Sequence, residues 1–343
     1  MVMKPIVFIT KMEGGGMETF CLGLLREWAK LPGGVTLYTT YSGGVTEGEI
    51  PEEVERVCWN VRAKKSFWKL TKWLRMRPND PCLALSQELG IVLMVLKRLH
   101  LIRNPIYFRE SNDVVRHYDA SYKRITGWLW PKLDGILEQS RIGREETRTI
   151  CSGNLPRCLV LRNIMRYDGP VADFGLSTPI RLVNVASYKP EKRQELLVEM
   201  LAKGEHGISD GWTLTFWGSG ERRAEVEALV AKRGLGGRVR FEDWTSDKDR
   251  IYRDADIMVL PSDHEGLPNV MLEALLRGKR VSIRPTVDGG CELLQDLGLG
   301  VTWPISKAVE IPVEKWRAAR KKLAAICAPE KVAKEIAEFM QVR

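Results

Sequence analysis

The stretch "MRYDGPVADFGLSTP", residues 165–179, interrupts an otherwise regular alternation of short apolar runs and helix-like segments. Six apolar runs typical of buried β-strands precede it, and five more follow it. Strands of this kind, separated by helices, indicate parallel sheets that are covered on both faces. They fit either one barrel of alternating strands and helices or two doubly wound domains. Because the stretch has two prolines, two glycines and little periodicity, it is typical of a linker, and the sequence predicts two Rossmann-like α/β domains.

The expected domain boundaries follow from this linker. We expect a first Rossmann-like domain over residues 1–168, a second over residues 169–313, and two C-terminal helices over residues 314–343 that pack back on the first domain. Ligands of doubly wound sheets bind outside the carboxyl ends of the strands. The two domains should therefore face each other across a ligand-binding cleft.

The composition indicates a folded protein without a membrane span. The chain has 343 residues, of which 44% are hydrophobic, but no apolar run reaches the roughly 18 residues that a spanning helix needs. The N-terminal residues lack the apolar core and cleavage site of a secretory signal. Seven scattered cysteines without metal-ligand spacing indicate reduced thiols. We therefore expect a cytoplasmic protein.

Positive charge is concentrated in the first half of the chain. Residues 1–170 carry 26 Lys and Arg against 18 Asp and Glu, whereas the following residues carry 27 against 26. A basic first half suggests an anionic partner, which can be a membrane surface, a nucleic acid or a phosphorylated substrate. A basic surface that only faces solvent is the alternative.

Three glycines, Gly14, Gly15 and Gly16, lie between the first predicted strand and the first predicted helix. A phosphate or sugar can approach the bare backbone amides at such a helix start. The pattern is not GxGxxG, and no acidic residue closes the second strand to bind a ribose, so a nicotinamide-dependent dehydrogenase is disfavoured. A flexible turn is the alternative interpretation.

In the segment "VASYKPEKRQELL", Lys192 opens a predicted helix directly after a predicted strand. A lysine in the first turn opposes the helix dipole, which favours acids there. An anionic ligand at this helix start would compensate for the lysine. A lysine that is simply exposed to solvent is the alternative.

The segment "PSDHEGLPNVMLEALLRGKRV", residues 261–281, places Glu265 and Glu273 on either side of a helix start. Pro268 suits the first helical position, because its missing N–H costs nothing there. Backbone amides of this first turn lack intrahelical partners and can hold a diphosphate. Glu265 can then reach a sugar, and Glu273 can reach a diol such as a ribose. The pattern indicates a sugar-nucleotide site, with a capped helix and solvated acids as the alternative.

These segments form an ordered set that resembles the retaining glycosyltransferases of family 4, which have the GT-B fold. The resemblance covers residues 180–303. Its matching segments are "VASYKPEKR", "LTFWGSGE", "RVRFEDWTSD", "EGLPNVMLE" with the family's pair of glutamates, and "TVDGGCELL". The first domain is similar mainly through "GGGMETF".

The resemblance implies a hexosyltransferase that moves a sugar from a nucleoside-diphosphate sugar to a glycan or lipid-linked acceptor, with retention of the anomeric configuration. A UDP-sugar is the favoured donor, and a GDP-sugar is the second option. The first domain would bind the acceptor and the second the donor, in cell-surface polysaccharide or lipopolysaccharide synthesis. No metal or other cofactor is expected, because no Asp-x-Asp motif follows a strand, and Lys192 and helix ends would take the charge of the leaving diphosphate.

The resemblance also implies roles for individual residues. Lys192 would bind the donor diphosphate, Glu265 would contact the donor sugar near its reacting carbon, and Glu273 would bind the ribose hydroxyls. The base would lie beside Asp243, Trp244 and Thr245. Further donor contacts are expected from Gly15, Gly16, Ser187, Gly218, Gly266, Leu267, Pro268, Asn269 and Val270.

Two departures from the family pattern affect the expected site. The usual phosphate-binding arginine falls on Ser187, and Lys189 and Arg193 are both candidates to replace it. Many relatives also have a histidine after a strand of the first domain. Here the corresponding segment is "PIYFRESNDVVRHY", so Glu110 and the later His117 are the catalytic candidates, with Arg109 and Asn112 at the same place. His264, next to Glu265, is a further candidate. A surface or core role is the alternative for His117.

Residues 62–77 contain seven basic residues and no acid. At helical spacing Phe67, Leu70, Trp73 and Leu74 share one face, and lysines occupy much of the opposite side. This pattern suits a helix that lies on an anionic membrane, which would place the protein peripherally at the inner face of the cell membrane. An ordinary helix packed on the first domain is the alternative.

Two other functions fit parts of the sequence. A sugar-nucleotide epimerase of the GT-B fold would use catalytic acids and a histidine from both domains, but it leaves residues 62–77 without a purpose. A nucleic-acid-binding protein would fit the positive charge. No motif for RNA or DNA binding is present, so no nucleic-acid partner is expected.

Overall fold

The computed structural model describes residues 3–111, 116, 119–208 and 211–342. The chain divides into two compact units. The first comprises the described residues up to Met165 together with those from Ile326 onward, and the second runs from Arg166 to Ala325. Each unit is built on its own parallel sheet.

The first unit has a seven-stranded parallel sheet with the order β3-β2-β1-β4-β5-β6-β7. Its strands are β1 Ile6–Ile9, β2 Thr36–Thr39, β3 Glu55–Cys58, β4 Cys82–Ala84, β5 Ile106–Arg109, β6 Gly135–Glu138 and β7 Cys158–Val160. Its helices are α1 Gly16–Trp28, α2 Phe67–Arg75, α3 Gln87–Arg98, α4 Ala120–Leu129 and α5 Arg141–Ile150, with α13 Pro329–Phe339 from the C-terminal segment.

Strand β1 shows why the apolar runs of this unit are continuous. Val7 and Ile9 enter one hydrophobic cluster, while Ile6 and Phe8 enter another on the opposite face of the sheet. Successive side chains of a strand point to opposite faces. Since helices cover both faces, every position of β1 is apolar and buried.

The second unit has a five-stranded parallel sheet with the order β10-β9-β8-β11-β12. Its strands are β8 Ile180–Val185, β9 Trp212–Trp217, β10 Val239–Glu242, β11 Ile257–Leu260 and β12 Arg280–Ile283. Its helices are α6 Gln194–Ala202, α7 Arg223–Lys232, α8 Lys248–Arg253, α9 Asn269–Leu276, α10 Asp288–Asp296, α11 Ile305–Glu310 and α12 Val313–Ile326. The strand order reverses between β8 and β11, which makes this point the topological switch where doubly wound sheets bind ligands.

The prediction of two doubly wound parallel domains is confirmed, and the single barrel is excluded because the strands form two separate sheets. Each of the eleven predicted runs contains a strand. Strand β3 was not predicted. It lies at the edge of the first sheet and its residues are half-buried or exposed, so it lacks the apolar run that marks the others.

The C-terminal helices are placed differently from the expectation that residues 314–343 pack together on the first domain. Helix α12 belongs almost entirely to the second unit, where Trp316 stacks on Phe174 with ring centroids 6.0 Å apart. Helix α13 belongs to the first unit, and Trp28 Nε1 donates a hydrogen bond to the carbonyl oxygen of Ala333 at 3.0 Å. The two helices separate because each buries its aromatic or aliphatic face in a different core.

Two further expectations concern the surroundings of the protein. Within the described ranges, no helix is both long and apolar enough to cross a membrane. The seven cysteines are all unpaired, and burial raises the pKa of several of their thiols, among them Cys151 and Cys291 to about 11.

Candidate functional site

The loop after β8 carries the predicted phosphate-binding lysine. Pro190–Lys192 form a single 3-10 turn, Arg193 adopts a left-handed backbone conformation with φ of 53°, and α6 begins at Gln194. The sequence predicts Lys192 within the first turn of this helix. In the structure it lies two residues before the helix begins. Lys192 thus lies in the loop that follows β8, the central strand of the sheet.

Lys192 and Glu265 meet at the switch point between β8 and β11. The Lys192 ammonium group forms an ion pair with Glu265 Oε1, and Ser262 Oγ donates to the same oxygen at 3.0 Å. The two side chains are only 20% and 17% exposed. The Asp263 N–H donates to the Glu191 carbonyl oxygen at 2.9 Å, so the two loops are also joined through their backbones. The predicted cation and one predicted carboxylate are thus held together in one partly buried site.

The helix start after β11 lies one residue later than predicted. Helix α9 begins at Asn269, and Pro268 occupies the capping position with an extended backbone. The preceding turn packs tightly on the start of α10: a Cβ atom on Gly289 would lie only 2.2 Å from the carbonyl oxygen of Gly266. Leu267 is buried, and Val270 lies in the first turn of α9. Glycine at position 289 therefore fixes the turn that presents Glu265.

Glu273 lies in α9, about a turn beyond its start, with 13% of its side chain exposed. The Tyr252 hydroxyl is 3.2 Å from Glu273 Oε2 and 3.0 Å from the Val270 carbonyl oxygen. Burial, reinforced by the Glu273 charge, raises the pKa of Tyr252 well above its usual value. Lys248 Nζ lies 3.7 Å from Glu273 Oε1. The carboxylate is therefore oriented by Tyr252 and Lys248, and a small part of it remains exposed.

The turns after β8 and β9 touch each other. Gly218 has φ of +151°, and a Cβ atom there would lie 2.1 Å from the Ala186 carbonyl oxygen. The Tyr188 N–H donates to the Ser219 carbonyl oxygen at 3.0 Å. Ser187 is exposed beside this contact, and its carbonyl oxygen accepts a hydrogen bond from Gln194 Nε2 at 3.1 Å. The predicted glycine turn thus supports the loop that leads to Lys192.

Residues 243–245, the predicted neighbours of the base, follow β10 at the edge of the sheet. Asp243 pairs with Arg223 and is largely exposed. Trp244 is 55% exposed, and Thr245 Oγ1 accepts a hydrogen bond from the Asp247 N–H at 3.1 Å. An exposed indole at a strand end can stack on an aromatic base.

Sequence reasoning missed two residues of this site, Asp263 and Arg284. The Arg284 guanidinium pairs with Asp263 Oδ1, and Arg193 Nε lies 3.4 Å from Asp263 Oδ2. Both missed residues follow strands at their carboxyl ends, and that position was the signal that could have identified them. Lys189, the other candidate to replace the family arginine, is exposed.

In the first unit, the glycine-rich turn leads into α1 as predicted. Gly15 caps the helix, and Gly16 is its first residue. The Gly15 N–H donates to Glu18 Oε2 at 2.9 Å. The start of α1 thus already holds an acidic group from its own sequence, which suits a positive helix end.

Glu110 follows β5 and is buried, with 1% of its surface exposed. Its Oε1 accepts a hydrogen bond from the Ser111 N–H at 2.9 Å. Glu138, at the end of the neighbouring strand, is buried too, and burial together with the charge of Glu110 raises its pKa well above the usual value. Arg109 Nη2 donates to Asn163 Oδ1 at 2.5 Å. Glu110 is therefore part of a buried polar cluster at the carboxyl ends of β5 and β6.

Of the remaining catalytic candidates, the structure describes His264 but not His117 or Asn112. His264 is half-buried in the loop beside Glu265. His117 and Asn112 lie outside the described residues. The described ranges contain no group of three or more His, Cys, Asp or Glu side chains arranged to hold a metal ion.

The apolar face of α2, which the sequence predicts to contact a membrane, packs instead on the core of the first unit. Leu70 and Leu74 are fully buried, and Phe67 and Trp73 pack against the same core. The residue missed by the spacing argument is Trp68, which is 72% exposed. It lies on the basic side of the segment, among Lys64, Lys65, Lys69 and Lys72, which are all exposed.

Comparison with known proteins bears on the second unit first. Residues 173–339 match the model of the family described as "Glycosyl transferases group 1". The lipopolysaccharide core biosynthesis glycosyltransferase LpsE of Rhizobium meliloti (strain 1021) is 28% identical over 216 residues, which cover 57% of this chain and 60% of LpsE. The match thus spans less than two thirds of that relative.

Solved structures resemble the whole chain. Anabaena Alr3699/HepE in complex with UDP and glucose is 16% identical, with a TM-score of 0.80 and 99% of each chain covered. The apo form of the lipopolysaccharide outer core galactosyltransferase WaaB is 14% identical, with a TM-score of 0.72 and coverage of 99% of this chain and 100% of WaaB. The chain therefore has the GT-B fold of these proteins, and residues 173–339 are similar to the glycosyltransferases of group 1.

Proposed function

We propose that the protein is a retaining glycosyltransferase that moves a sugar from a nucleoside-diphosphate sugar to a glycan or lipid-linked acceptor. The observation that carries this proposal is the ion pair of Lys192 and Glu265 at the topological switch point. A cation for phosphate and a carboxylate for sugar hydroxyls lie there beside the start of α9. Helix starts and lysines stabilise phosphate groups, and carboxylates accept hydrogen bonds from hydroxyl groups.

The donor would extend along the carboxyl edge of the second sheet. Its base would lie beside Asp243, Trp244 and Thr245, its ribose at Glu273, its diphosphate at Lys192 and the amides that begin α9, and its sugar at Glu265. Gly266, Leu267, Pro268, Asn269 and Val270 would supply backbone contacts. A UDP-sugar is favoured, because Alr3699/HepE, whose fold this chain shares, was solved in complex with UDP and glucose; a GDP-sugar is the second option.

The proposed reaction needs positioning and electrostatic stabilisation more than a strong base. Lys192 and the helix amides would take the negative charge that develops on the leaving diphosphate. Glu265 would orient the sugar by accepting hydrogen bonds from its hydroxyl groups. In a front-face path, the departing phosphate oxygen takes the proton of the attacking acceptor hydroxyl, so the new glycosidic bond forms on the face that the diphosphate leaves. No metal is required by this scheme, and Glu110 and His117 are the candidates for further catalytic contacts.

The acceptor would bind to the first unit, and Gly15 and Gly16 at the start of α1 would add contacts to the donor. A role in lipopolysaccharide or cell-surface polysaccharide synthesis is supported by the names of LpsE and WaaB, both of which refer to lipopolysaccharide. An acceptor of this kind is anchored in a membrane, so the protein would act peripherally at the inner face of the cell membrane. Trp68 and the exposed lysines around it form a surface that suits anionic headgroups.

A panel of nucleotide sugars tests this proposal. We expect one UDP- or GDP-sugar to raise the melting temperature of the protein, because a ligand that binds only the folded state stabilises it. The same compound should release its nucleoside diphosphate slowly in the absence of acceptor. Isomerisation of the sugar without release of diphosphate would instead identify a sugar-nucleotide epimerase, and a shift with oligonucleotides alone would identify a nucleic-acid-binding protein.

A further inference from the structure

The resemblance implies two cations at the donor phosphates, but Ser187 stands where the resembling glycosyltransferases have an arginine, so Lys192 is the cation assigned there so far. We propose that Arg284 binds the distal phosphate of the donor together with Lys192, and that Asp263 holds the Arg284 guanidinium while the donor is absent. This inference rests on the proposed function, since it assigns a residue to the donor site proposed above. It is carried by the position of Arg284 and by its ion pair with Asp263.

Arg284 leaves the sheet beside the loop that carries Glu265. It directly follows β12, which pairs in parallel with β11, so that Ile283 lies beside Leu260. The Arg284 N–H donates to the Leu260 carbonyl oxygen at 3.0 Å. Thr286 Oγ1 donates to the Ser262 carbonyl oxygen at 2.8 Å. The loop that begins with Arg284 is thus fixed to the Glu265 loop.

Asp263 links Arg284 to the loop that presents Lys192. The Asp263 backbone N–H donates to the Glu191 carbonyl oxygen at 2.9 Å, and its carboxylate pairs with Arg284. A guanidinium held by Asp263 therefore lies close to the Lys192 loop. If the base lies near β10, a donor that extends along the sheet edge toward β12 brings its distal phosphate to this side.

Arg284 suits this role better than Arg193. Arg193 contacts two carboxylates, Glu195 at 3.2 Å and Asp263 at 3.4 Å, and its backbone is in the left-handed region. Engaging a ligand would require Arg193 to leave both acids. Arg284 is 27% exposed, so its charge is less screened than that of a surface residue. Its planar fork suits two oxygens of one phosphate group.

The pairing with Asp263 predicts that one substitution improves binding. The Asp263 carboxylate competes with the phosphate for the same guanidinium, so binding of the donor exchanges one charged partner of Arg284 for another. Removing the Asp263 charge should therefore strengthen the binding of a nucleoside diphosphate. A substitution that merely damaged the fold would weaken it.

Calorimetric titration of the full chain with UDP, UMP and uridine tests the proposal, with GDP, GMP and guanosine used if the protein prefers that base. We expect Arg284→Ala to weaken UDP about tenfold or more and UMP by less than about threefold. Arg284→Lys should recover part of the loss, and Asp263→Asn should tighten UDP. Arg253→Ala is the matched control, because it removes an exposed arginine of the same unit and should leave UDP binding unchanged.

The outcomes separate this inference from the proposed function. Wild-type protein that binds neither UDP nor GDP would overturn the proposed function. Wild-type protein that binds UDP, with an Arg284→Ala variant that keeps the wild-type ratio of UDP to UMP affinity, would overturn only the role of Arg284. Weaker UDP binding by Asp263→Asn would overturn the proposal that Asp263 holds the Arg284 guanidinium while the donor is absent.

Discussion

The ammonium group of Lys192 and the carboxylate of Glu265 neutralise each other in the second unit, with Ser262 Oγ bonded to the same carboxylate oxygen at 3.0 Å. The proposed reaction assigns these two charges to different parts of the donor, the diphosphate and the sugar. Donor binding must therefore separate them. Substitution of either residue leaves the other charge without its partner. The two substitutions should nevertheless differ in their effects, because Lys192 is assigned to the diphosphate and Glu265 to the sugar.

Substitution of the two residues should affect binding and turnover differently. Lys192→Ala should weaken UDP roughly tenfold or more, because a charged contact to phosphate is lost. Glu265→Gln should bind UDP at least as well as wild type, since the competing carboxylate charge is gone, yet lose about a hundredfold or more in turnover. Titration with UDP and a nucleotide-release assay measure the two effects. Near-normal turnover by Glu265→Gln would refute its assigned role.

Glu273 is expected to bind the ribose hydroxyls of the donor. We expect Glu273→Gln to weaken UDP about tenfold and 2′-deoxy-UDP clearly less, because the carboxylate is proposed to accept hydrogen bonds from the ribose hydroxyls. Tyr252→Phe is a useful companion, since it removes the hydroxyl that orients Glu273 without changing its charge. Calorimetry with both nucleotides measures the difference. Equal losses for the two nucleotides would show that Glu273 does not contact the 2′-hydroxyl.

Gly289 should be essential for the shape of the site, although it touches no donor group in the proposal. Gly289→Ala would bring a Cβ atom within 2.2 Å of the Gly266 carbonyl oxygen, so the turn that presents Glu265 must move. We expect a loss of about 1–3 kcal/mol in the free energy of unfolding and a marked fall in kcat/KM. Urea unfolding and kinetics measure these effects. Gly237→Ala is the control, because its added Cβ meets nothing within 4 Å; equal effects in both variants would refute the steric argument.

Membrane contact should depend on the exposed side of residues 62–77, not on its apolar face. Reversal of Lys65, Lys69 and Lys72 to glutamate should abolish cosedimentation with anionic vesicles, and Trp68→Ala should weaken it, because lysines and an exposed indole suit the headgroup region. The control reverses three exposed lysines of α12, with the same change in net charge: Lys315, Lys321 and Lys322. Binding that survives the first reversal, or that is lost equally in the control, would contradict a role for this surface.

The sequence predicted the sheets better than it predicted their edges and side-chain orientations. Buried central strands such as β1 are apolar at every position, so they stand out. Strand β3 lies at an exposed edge and begins with two charged residues, Glu55 and Arg56. Glu55 pairs with Lys4, and so short and polar a segment resembles a loop. The spacing of apolar residues in α2 correctly predicted a helix. The same spacing is found in helices that bury their apolar side in a protein core and in helices that lie on a membrane. Only the packing shows that the core receives the apolar side of α2.

The candidate site was predictable where it depends on strand ends and less so where it depends on contacts between loops. Lys192, Glu265 and Glu273 follow from their positions near helix starts. The pairing of Arg284 with Asp263 joins residues from two different loops, and only the parallel pairing of β11 with β12 brings them together. Ser187 is a second example. The sequence shows that the loop after β8 lacks an arginine, but it does not show that the loop after β12 can supply a cation instead.

Release of nucleoside diphosphate from a panel of UDP- and GDP-sugars, measured in parallel for the wild-type protein and Glu265→Gln, tests the central claim most directly. The proposed donor site predicts release from one nucleotide sugar by wild type and a loss of about a hundredfold or more in Glu265→Gln, while UDP or GDP still binds the variant. No release and no binding with any nucleotide sugar, or unchanged release by Glu265→Gln, would contradict the donor site assigned to the loops after β8 and β11.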